Sequence, residues 1–479
     1  MKYEVVIGLE THAELATASK LWCGCSTVFG APPNTQVCPV CLGMPGVLPV
    51  LNKKALEYSL RAALALNCRI NLFSMFDRKN YYYPDLPKNY QISQNYLNLG
   101  IDGHIDIRSN GGRKKISIHN VHLEEEAGKL IHPEDPSADY SLVDFNRAGV
   151  PLLEIVTNPD MRSLEEVEQF MLALRNILLY NEVSDCKMQE GSLRFEASIS
   201  LRPTGQEKLG SRVEMKNLNS MKAVLKALEY EMGRQTDILD SENEVEMETR
   251  LWDEVWGKTE RMRTKEEAHD YRYFPEPDLV PMAIEERWLD ELRSSLPELP
   301  LSRRNRFVEE YSLSDYDAGV LTEDKAVADY FERCVSLYAS PKSLCNWITN
   351  DVLRELKERR VEIKDFKVGP EMLVGLVKMI EEGAISMPSG RGAFAEMANT
   401  GKDAAVIVKE KGLLQISDKE ELEQLVLKVL DKNPAAVSDY QKGKKAALGF
   451  LVGQIIRESK GKANPKVVNE LLRQKIKIE

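Results

Sequence analysis

The chain has 479 residues, a formal net charge of −11, 43% hydrophobic residues and 29% charged residues. This length predicts two to four domains, and the composition is typical of a globular protein. The sequence shows neither a signal-peptide core nor a run approaching the roughly 18 apolar residues of a spanning helix. Eight cysteines are too few for a dense disulfide framework. We therefore expect a cytoplasmic protein that does not associate with membranes.

The distribution of patterns along the chain predicts an α+β fold with three regions. Short alternating strands, turns and a few helices come first, followed by a helical region and then a smaller helical unit. The predicted boundaries are 1–293, 294–405 and 406–479.

The first predicted element is a strand in the stretch VIGLETHAEL. Alternation along a strand places Gly8, Glu10, His12 and Glu14 on one face. Two carboxylates beside an imidazole are unusual on a strand that only faces solvent. We therefore regard this face as a candidate site.

Four of the eight cysteines follow within nineteen positions, at Cys23, Cys25, Cys38 and Cys41. Two closely spaced pairs on adjacent turns can converge on a tetrahedral four-thiolate site, which Zn²⁺ favours. The alternative is a group of buried or redox-active thiols. A closed shell of four thiolates leaves no open position for a substrate, so we interpret the cluster as structural.

Further carboxylates occur as Glu124, Glu125 and Glu126, and as Glu154 within the apolar stretch PLLEIV. A carboxylate among apolar neighbours is costly unless it is paired or binds a cation. Oxygen ligands with one imidazole suit Mg²⁺ or Mn²⁺ better than zinc. For any one of these acids alone, a surface position is the commoner explanation.

A helix and two polar strands come next. Ser163 and Glu166 fit a capping box, and an apolar stripe runs from Leu164 to Leu178. The following strands alternate apolar residues with polar ones: Arg194, Glu196, Ser198, Ser200, Arg202, then Arg212, Glu214 and Lys216. Such a face is either a solvated surface or a surface that binds triphosphate oxygens and a metal.

The carboxyl-terminal end is basic. From Lys432 to Glu479 there are 11 Lys or Arg residues against 4 Asp or Glu. This predicts a polyanionic partner for the tail, with a solvated helix surface as the alternative. A complete P-loop, a dinucleotide fingerprint and a nucleophile elbow are all missing from the sequence.

Several ordered blocks, among them IGLETHAEL, FDRKNYYYPDLPKNYQISQ, YSLVDFNRAGVPLLEIVTNPDMRS, MQEGSLRFEASISLRP and AHDYRYFPEPDLVP, closely resemble the B subunits of aspartyl/glutamyl-tRNA amidotransferases, the GatB family. The resemblance runs over essentially the whole chain. The archaeal GatE branch carries an extra synthetase-like insertion domain, and this chain is similar to the bacterial type without it.

The resemblance implies a cradle domain built mainly on an antiparallel β-sheet, a helical domain, and a YqeY-like tail that binds tRNA with the helical domain. It implies ATP-dependent phosphorylation of the side-chain carboxylate of Glu-tRNA(Gln) or Asp-tRNA(Asn), followed by amidation. Ammonia would come from an amidase A subunit in a heterotrimer with a small C subunit. The resemblance also makes a non-discriminating glutamyl- or aspartyl-tRNA synthetase a candidate partner.

The resemblance also implies roles for individual residues. The family's Mg²⁺ site maps onto His12, Glu125 and Glu154, with Glu10 catalytic beside them. The residues expected to bind ATP or the substrate are Glu124, Arg194, Glu196, Ser198, Glu214 and Lys216.

The chain departs from the family pattern at Glu126, where an Asp is usual, and in the RFEAS segment, where the family usually reads RCDANVS. These differences affect the expected positioning by Glu126, Glu196 and Ser198. Two other classes of function remain: a non-catalytic tRNA-binding scaffold, and a self-contained ATP-dependent ligase with its own ammonia source.

Overall fold

A computed structural model describes residues 2–109, 112–133, 137–264, 268–416, 419–459 and 462–476. The chain divides into two compact units, Met1–Leu301 and Ser302–Glu479. Strands lie in the first unit, and the second is helical, so the expected α+β fold is confirmed. Among the described residues, no helix is long and apolar enough to cross a membrane.

The strands are β1 (Tyr3–Glu14), β2 (Arg69–Ile70), β3 (Phe73–Ser74), β4 (Asp77–Asn80), β5 (Tyr90–Ser93), β6 (Gly100–Ser109), β7 (Gly112–Glu125), β8 (Lys129–Ile131), β9 (Leu142–Asp144), β10 (Pro151–Thr157), β11 (Leu193–Pro203), β12 (Val213–Lys216), β13 (Glu248–Asp253), β14 (Lys258–Thr264), β15 (Phe274–Pro275) and β16 (Met282–Ala283).

The α-helices are α1 (Lys53–Ala65), α2 (Leu164–Tyr180), α3 (Met221–Asp240), α4 (Glu286–Ser295), α5 (Pro300–Tyr311), α6 (Asp315–Thr322), α7 (Lys325–Leu337), α8 (Pro341–Trp347), α9 (Leu353–Arg359), α10 (Pro370–Glu381), α11 (Met387–Thr400), α12 (Ala404–Glu410), α13 (Lys419–Lys432), α14 (Pro434–Gln441), α15 (Lys445–Glu458) and α16 (Pro465–Lys475).

A nine-stranded sheet organises the first unit, in the order β14-β13-β12-β11-β1-β10-β7-β6-β2. Its pairings are antiparallel except for β12 with β13. One face packs on α1, α2 and α3. Residues such as Ile7, Leu9, Phe195 and Ala197 are buried there, because alternation sends them all to the same side. The polar residues of the same strands therefore share the opposite face.

The predicted helix after residue 163 is confirmed as α2. The Ser163 side chain caps it by accepting a hydrogen bond from the Glu166 backbone N–H. The apolar stripe from Val167 to Leu178 is buried in the core of the first unit. The stripe fixes α2 against the sheet because burial of its apolar side chains is the main source of helix stability in proteins.

The described residues of the second unit form two hydrophobic cores. One runs from Phe307 to Val408 and includes buried residues of α12, and the other runs from Leu422 to Ile476. The suggested boundary at 405/406 falls inside α12, which packs with the first of these cores.

Candidate active site and cysteine cluster

Four polar residues lie side by side across the face of the large sheet opposite the helices. His122 on β7 is opposite Glu154 on β10, Glu154 is opposite His12 on β1, and His12 is opposite Arg194 on β11. The antiparallel register therefore brings together residues that are up to 182 positions apart in the chain. Glu124 lies two residues beyond His122 on the same face of β7.

The two imidazoles and two carboxylates form a compact charged cluster. His12 Nε2 is 3.4 Å from Glu154 Oε2 and 3.9 Å from Glu124 Oε1. His122 Nε2 lies 3.1 Å from Glu154 Oε2 and 3.8 Å from Glu124 Oε2. The Ser93 hydroxyl donates to Glu124 Oε2 at 3.1 Å. Each of these four side chains is 4–15% exposed, and electrostatic interactions between buried groups are stronger than those in water.

The ionisation of this cluster follows from its packing. Burial opposes the charged imidazole of His12, but the Glu154 and Glu124 carboxylates outweigh it and raise the pKa of His12 to about 9. The pKa of His122 is raised to about 10 for the same reason. Although burial opposes its ionisation, Glu154 has a pKa well below its ordinary value because it faces both imidazoles. The protons on the two imidazoles therefore balance the negative charge of the carboxylates. A bound cation can take over this role from the protons.

His12, Glu124 and Glu154 each offer one ligand atom, and these atoms lie within 4.8 Å of one another. Two carboxylates and one imidazole match the preferences of Mg²⁺ or Mn²⁺. The residues present therefore fit a divalent cation. The Asn120 side-chain oxygen lies 3.0 Å from His122 Nδ1 and orients this second imidazole beside the three ligands.

Glu125 does not lie in this cluster. Its carboxylate points to the other face of β7, where Lys88 Nζ approaches to 2.7 Å and the Ile92 backbone N–H donates at 2.8 Å. The resemblance implied Glu125 as a cation ligand, but the structure brings Glu124 to His12 and Glu154 instead. The physical reason is strand alternation, which separates neighbouring side chains.

Glu126 follows the end of β7 and is buried. It pairs with Arg194, and Arg147 lies 3.9 Å away. These two guanidinium groups lower the pKa of Glu126 despite its burial. Glu14, on the same face as His12, has a pKa raised to about 7 by burial and by repulsion from Glu126. An ion-paired carboxylate with two guanidinium groups therefore borders the His12 cluster.

The other predicted binding residues lie along the same face. Glu10 is opposite Glu196, and Ser198 is opposite both Gly8 and Glu214. Lys216 Nζ lies 2.6 Å from Glu196 and 3.1 Å from Glu214.

A cavity of about 230 Å³ opens beside these residues. Glu10, Ser198, Ser200 and Arg212 line it together with apolar side chains. The predicted polar face is thus continuous from the His12 cluster to a cavity.

Sequence reasoning missed two basic residues of the site. His122 could have been found, because it precedes Glu124 by two positions and alternation places both on one face. For Lys79 on β4, no pattern in the neighbouring sequence indicated a place in the site. Its ammonium lies 5.0 Å from the Tyr271 ring and 5.9 Å from the Tyr81 ring. Burial opposes its charge, but Glu124 and Glu154 raise the pKa of Lys79 above its ordinary value.

The four cysteines of the amino-terminal region converge as expected. The sulfurs of Cys23, Cys25, Cys38 and Cys41 lie within 4.8 Å of one another, and the Cys38 and Cys41 sulfurs are 3.9 Å apart. Zn–S bonds of about 2.3 Å in a tetrahedron require sulfurs about 3.8 Å apart. A hydrogen bond from the Cys23 thiol and the charge of nearby Lys20 lower the pKa of Cys41 to about 4. This donor set fits a zinc ion.

Comparison with known proteins agrees with this architecture. The profile of the GatB/GatE catalytic domain matches residues 5–290, and the profile of a GatB domain matches residues 329–476. The chain is 56% identical over 476 residues to the B subunit of the aspartyl/glutamyl-tRNA(Asn/Gln) amidotransferase of Caldanaerobacter subterraneus subsp. tengcongensis, covering 99% of this chain and 100% of that protein.

Two further relatives are B subunits of the same amidotransferase. The protein from Carboxydothermus hydrogenoformans is 53% identical over 476 residues, covering 99% of each chain. The protein from Thermodesulfovibrio yellowstonii is 52% identical over 472 residues, covering 98% of this chain and 99% of that protein. The two profiles match the sheet domain that carries the carboxylate–imidazole cluster and most of the helical unit. They therefore define the class of protein as a tRNA amidotransferase subunit. The chain belongs to the GatB family of aspartyl/glutamyl-tRNA amidotransferase B subunits.

Proposed function

We propose that this chain activates the side-chain carboxylate of Glu-tRNA(Gln) or Asp-tRNA(Asn) with ATP and converts it to the amide within an amidotransferase complex. The observation that carries the proposal is the cluster of His12, Glu124 and Glu154 on a sheet face that also bears basic residues. A site that combines cation ligands with ammonium and guanidinium groups suits phosphoryl transfer.

The proposed reaction proceeds in two steps, phosphorylation of the carboxylate and then amidation. A carboxylate oxygen of the aminoacyl side chain attacks the γ-phosphorus of ATP, and ADP leaves. Ammonia then attacks the acyl carbon of the acyl phosphate and loses a proton, and inorganic phosphate leaves. A carboxylate is a poor electrophile, so the acyl phosphate supplies the leaving group that it lacks.

The residues divide this work according to their charge. His12, Glu124 and Glu154 would hold Mg²⁺, which supplies charge neutralisation to the phosphates when it is bound. Lys79, Arg194 and Lys216 present positive charge towards transferring oxygens, and such preorganised charges stabilise the transition state more than they would in water. Glu10, Ser198 and Ser200 line the adjoining cavity and offer hydrogen-bonding groups to the organic part of the nucleotide.

We assign the remaining parts of the chain to structure and binding. The four cysteines hold a structural zinc. Residues 1–293 form the catalytic domain, and the helical region with the basic tail binds the tRNA. The relatives are named as B subunits, so we propose an amidase A subunit as the source of ammonia and a small C subunit as a third member. The scaffold alternative leaves the enclosed charged cluster without a role.

Ammonia-driven conversion of Glu-tRNA(Gln) and Asp-tRNA(Asn) by the assembled complex tests this function. We expect ATP-dependent amide formation, with an acyl phosphate trapped as a hydroxamate by hydroxylamine when ammonia is withheld. Amide formation that needs no ATP, or the absence of any trapped intermediate, would contradict the proposal. Using both substrates in one experiment also determines which of them the complex accepts.

A further inference from the structure

Lys20 contacts both pairs of cysteines in the cluster and has no exposed surface. Its backbone N–H donates to the Cys25 carbonyl at 2.9 Å, which holds the first cysteine pair. Its ammonium lies 3.6 Å from the sulfur of Cys41 in the second pair. The same ammonium donates to the Phe145 carbonyl at 3.2 Å. One residue thus contacts both halves of the cluster.

A buried ammonium is costly unless an opposite charge compensates it. Among the described residues, its hydrogen-bond acceptors are the Cys41 sulfur and the Phe145 carbonyl, and a carbonyl carries no net charge. A divalent cation with four thiolates carries a net charge of −2. The burial of Lys20 is therefore accounted for when the cluster holds a metal, and it is unfavourable when the four sulfurs are neutral thiols.

We propose that Lys20 is the charge-compensating residue of the four-cysteine site and sets its affinity for zinc. The inference rests on the zinc assignment made above. Lys20 does not bind the metal directly but acts through Cys41. Groups that contact metal ligands in this way commonly contribute 10–100-fold to metal affinity.

The hydrogen bond from Lys20 to the Phe145 carbonyl also connects the cysteine loops to the segment before β10. Gly149 accepts a hydrogen bond from the Leu21 backbone N–H at 2.8 Å. Arg147, which lies between Phe145 and Gly149 in the chain, donates hydrogen bonds to the carbonyls of Ala127 and Gly128. Lys20 therefore fastens the cysteine loops to the segment that places Arg147 beside Glu126.

Zinc affinity of the full-length protein tests the proposal. Chelator competition should give a zinc dissociation constant about 10–100-fold higher for Lys20→Met than for the wild type. Lys20→Arg keeps the charge and should retain most of the affinity. Lys53→Met makes the same chemical change at an exposed lysine at the start of α1 and should leave the constant unchanged.

Thermal unfolding separates charge compensation from ordinary core packing. With zinc bound, Lys20→Met should lower the Tm, whereas in the zinc-free protein it should leave the Tm unchanged or raise it, because it removes an uncompensated buried charge. An equal loss in both forms would overturn the inference, as would an unchanged zinc constant. If Lys20→Met does not fold, Lys20→Gln gives the same comparison with a polar, uncharged tip.

The wild-type measurement distinguishes the two claims. A wild-type protein that binds no zinc overturns the zinc assignment and this inference together. A zinc-binding wild type with an unaffected Lys20→Met variant overturns the inference alone.

Discussion

Glu124 and Glu125 are neighbours in the chain, but their carboxylates lie on opposite faces of β7. Glu124 Oε1 is 3.9 Å from His12 Nε2, whereas Glu125 is bonded to Lys88 at 2.7 Å. Of these two carboxylates, Glu124 therefore lies with the proposed cation ligands, whereas Glu125 joins β7 to the segment that carries Lys88.

Glu124→Gln and Glu125→Gln should consequently differ. Glu124→Gln removes a charge that attracts the cation, so Mn²⁺ binding measured by electron paramagnetic resonance should weaken. Glu125→Gln leaves the Lys88 ammonium without its partner and should cost about 3–5 kcal/mol of unfolding free energy. Its folded fraction should still bind Mn²⁺. The reverse pattern would restore Glu125 as the ligand.

His12→Ala should abolish activation of the carboxylate even when free ammonia replaces the partner's supply. It removes a proposed cation ligand, which should cost on the order of 10²–10³ in rate. Hydroxamate trapping measures the step directly, and Glu154→Gln should behave in the same way. Retained binding of tRNA serves as the control for folding. Near-normal conversion by His12→Ala would mean that the chemistry occurs elsewhere.

Protein purified without chelators should contain about one zinc per chain, as a single four-thiolate site requires. Cys38→Ser should lose both the metal and thermal stability, because a structural zinc contributes folding free energy. Elemental analysis and the Tm measure the two effects. Cys68→Ser changes a buried cysteine outside the cluster and should keep the zinc. Zinc-free wild-type protein of full stability would refute the assignment.

Deleting residues 417–479 should weaken tRNA binding and flatten its dependence on salt, because phosphate contacts release counterions. The cut lies after α12, so the core that runs from Phe307 to Val408 stays complete. ATP hydrolysis should survive. Filter binding at several salt concentrations measures both the affinity and the salt dependence. Unchanged affinity and an unchanged slope would show that the basic tail is only a solvated surface.

Glu231→Gln should destabilise the first unit by about 3–5 kcal/mol near neutral pH. The Glu231 carboxylate is fully buried and lies 2.8 Å from Arg234 and 3.2 Å from Arg250. Burial opposes its ionisation, but hydrogen bonds, first from Arg234, lower its pKa below the ordinary 4.5. Its contribution is therefore complete above pH 4.5 and is lost as the pH falls through the lower folded-state value.

Denaturant unfolding across this pH range checks the prediction. The difference between wild type and Glu231→Gln should shrink as the solution becomes acidic. Glu229→Gln alters an exposed carboxylate on the same helix and should have little effect at any pH. A difference that stays constant down to pH 2 would contradict the sign of the pKa shift.

Local patterns in the sequence predicted much of the fold. Alternation along β1 and β11 identified the polar face, and the capping box with its apolar stripe identified α2. Cysteine spacing predicted the cluster. These signals are local because the direction of a side chain within a strand or helix depends on neighbouring residues alone. The resemblance of ordered motifs supplied the family.

Only the tertiary structure decided which residues meet. His12, His122 and Glu154 share one row because β7, β10 and β1 pair in a particular antiparallel register. That register depends on packing between distant segments, and a shift of one residue would reverse the faces. The same packing brought Lys79 near Glu124 and brought Lys20 into contact with both cysteine pairs. No local pattern encodes such contacts, because burial of the whole core selects them.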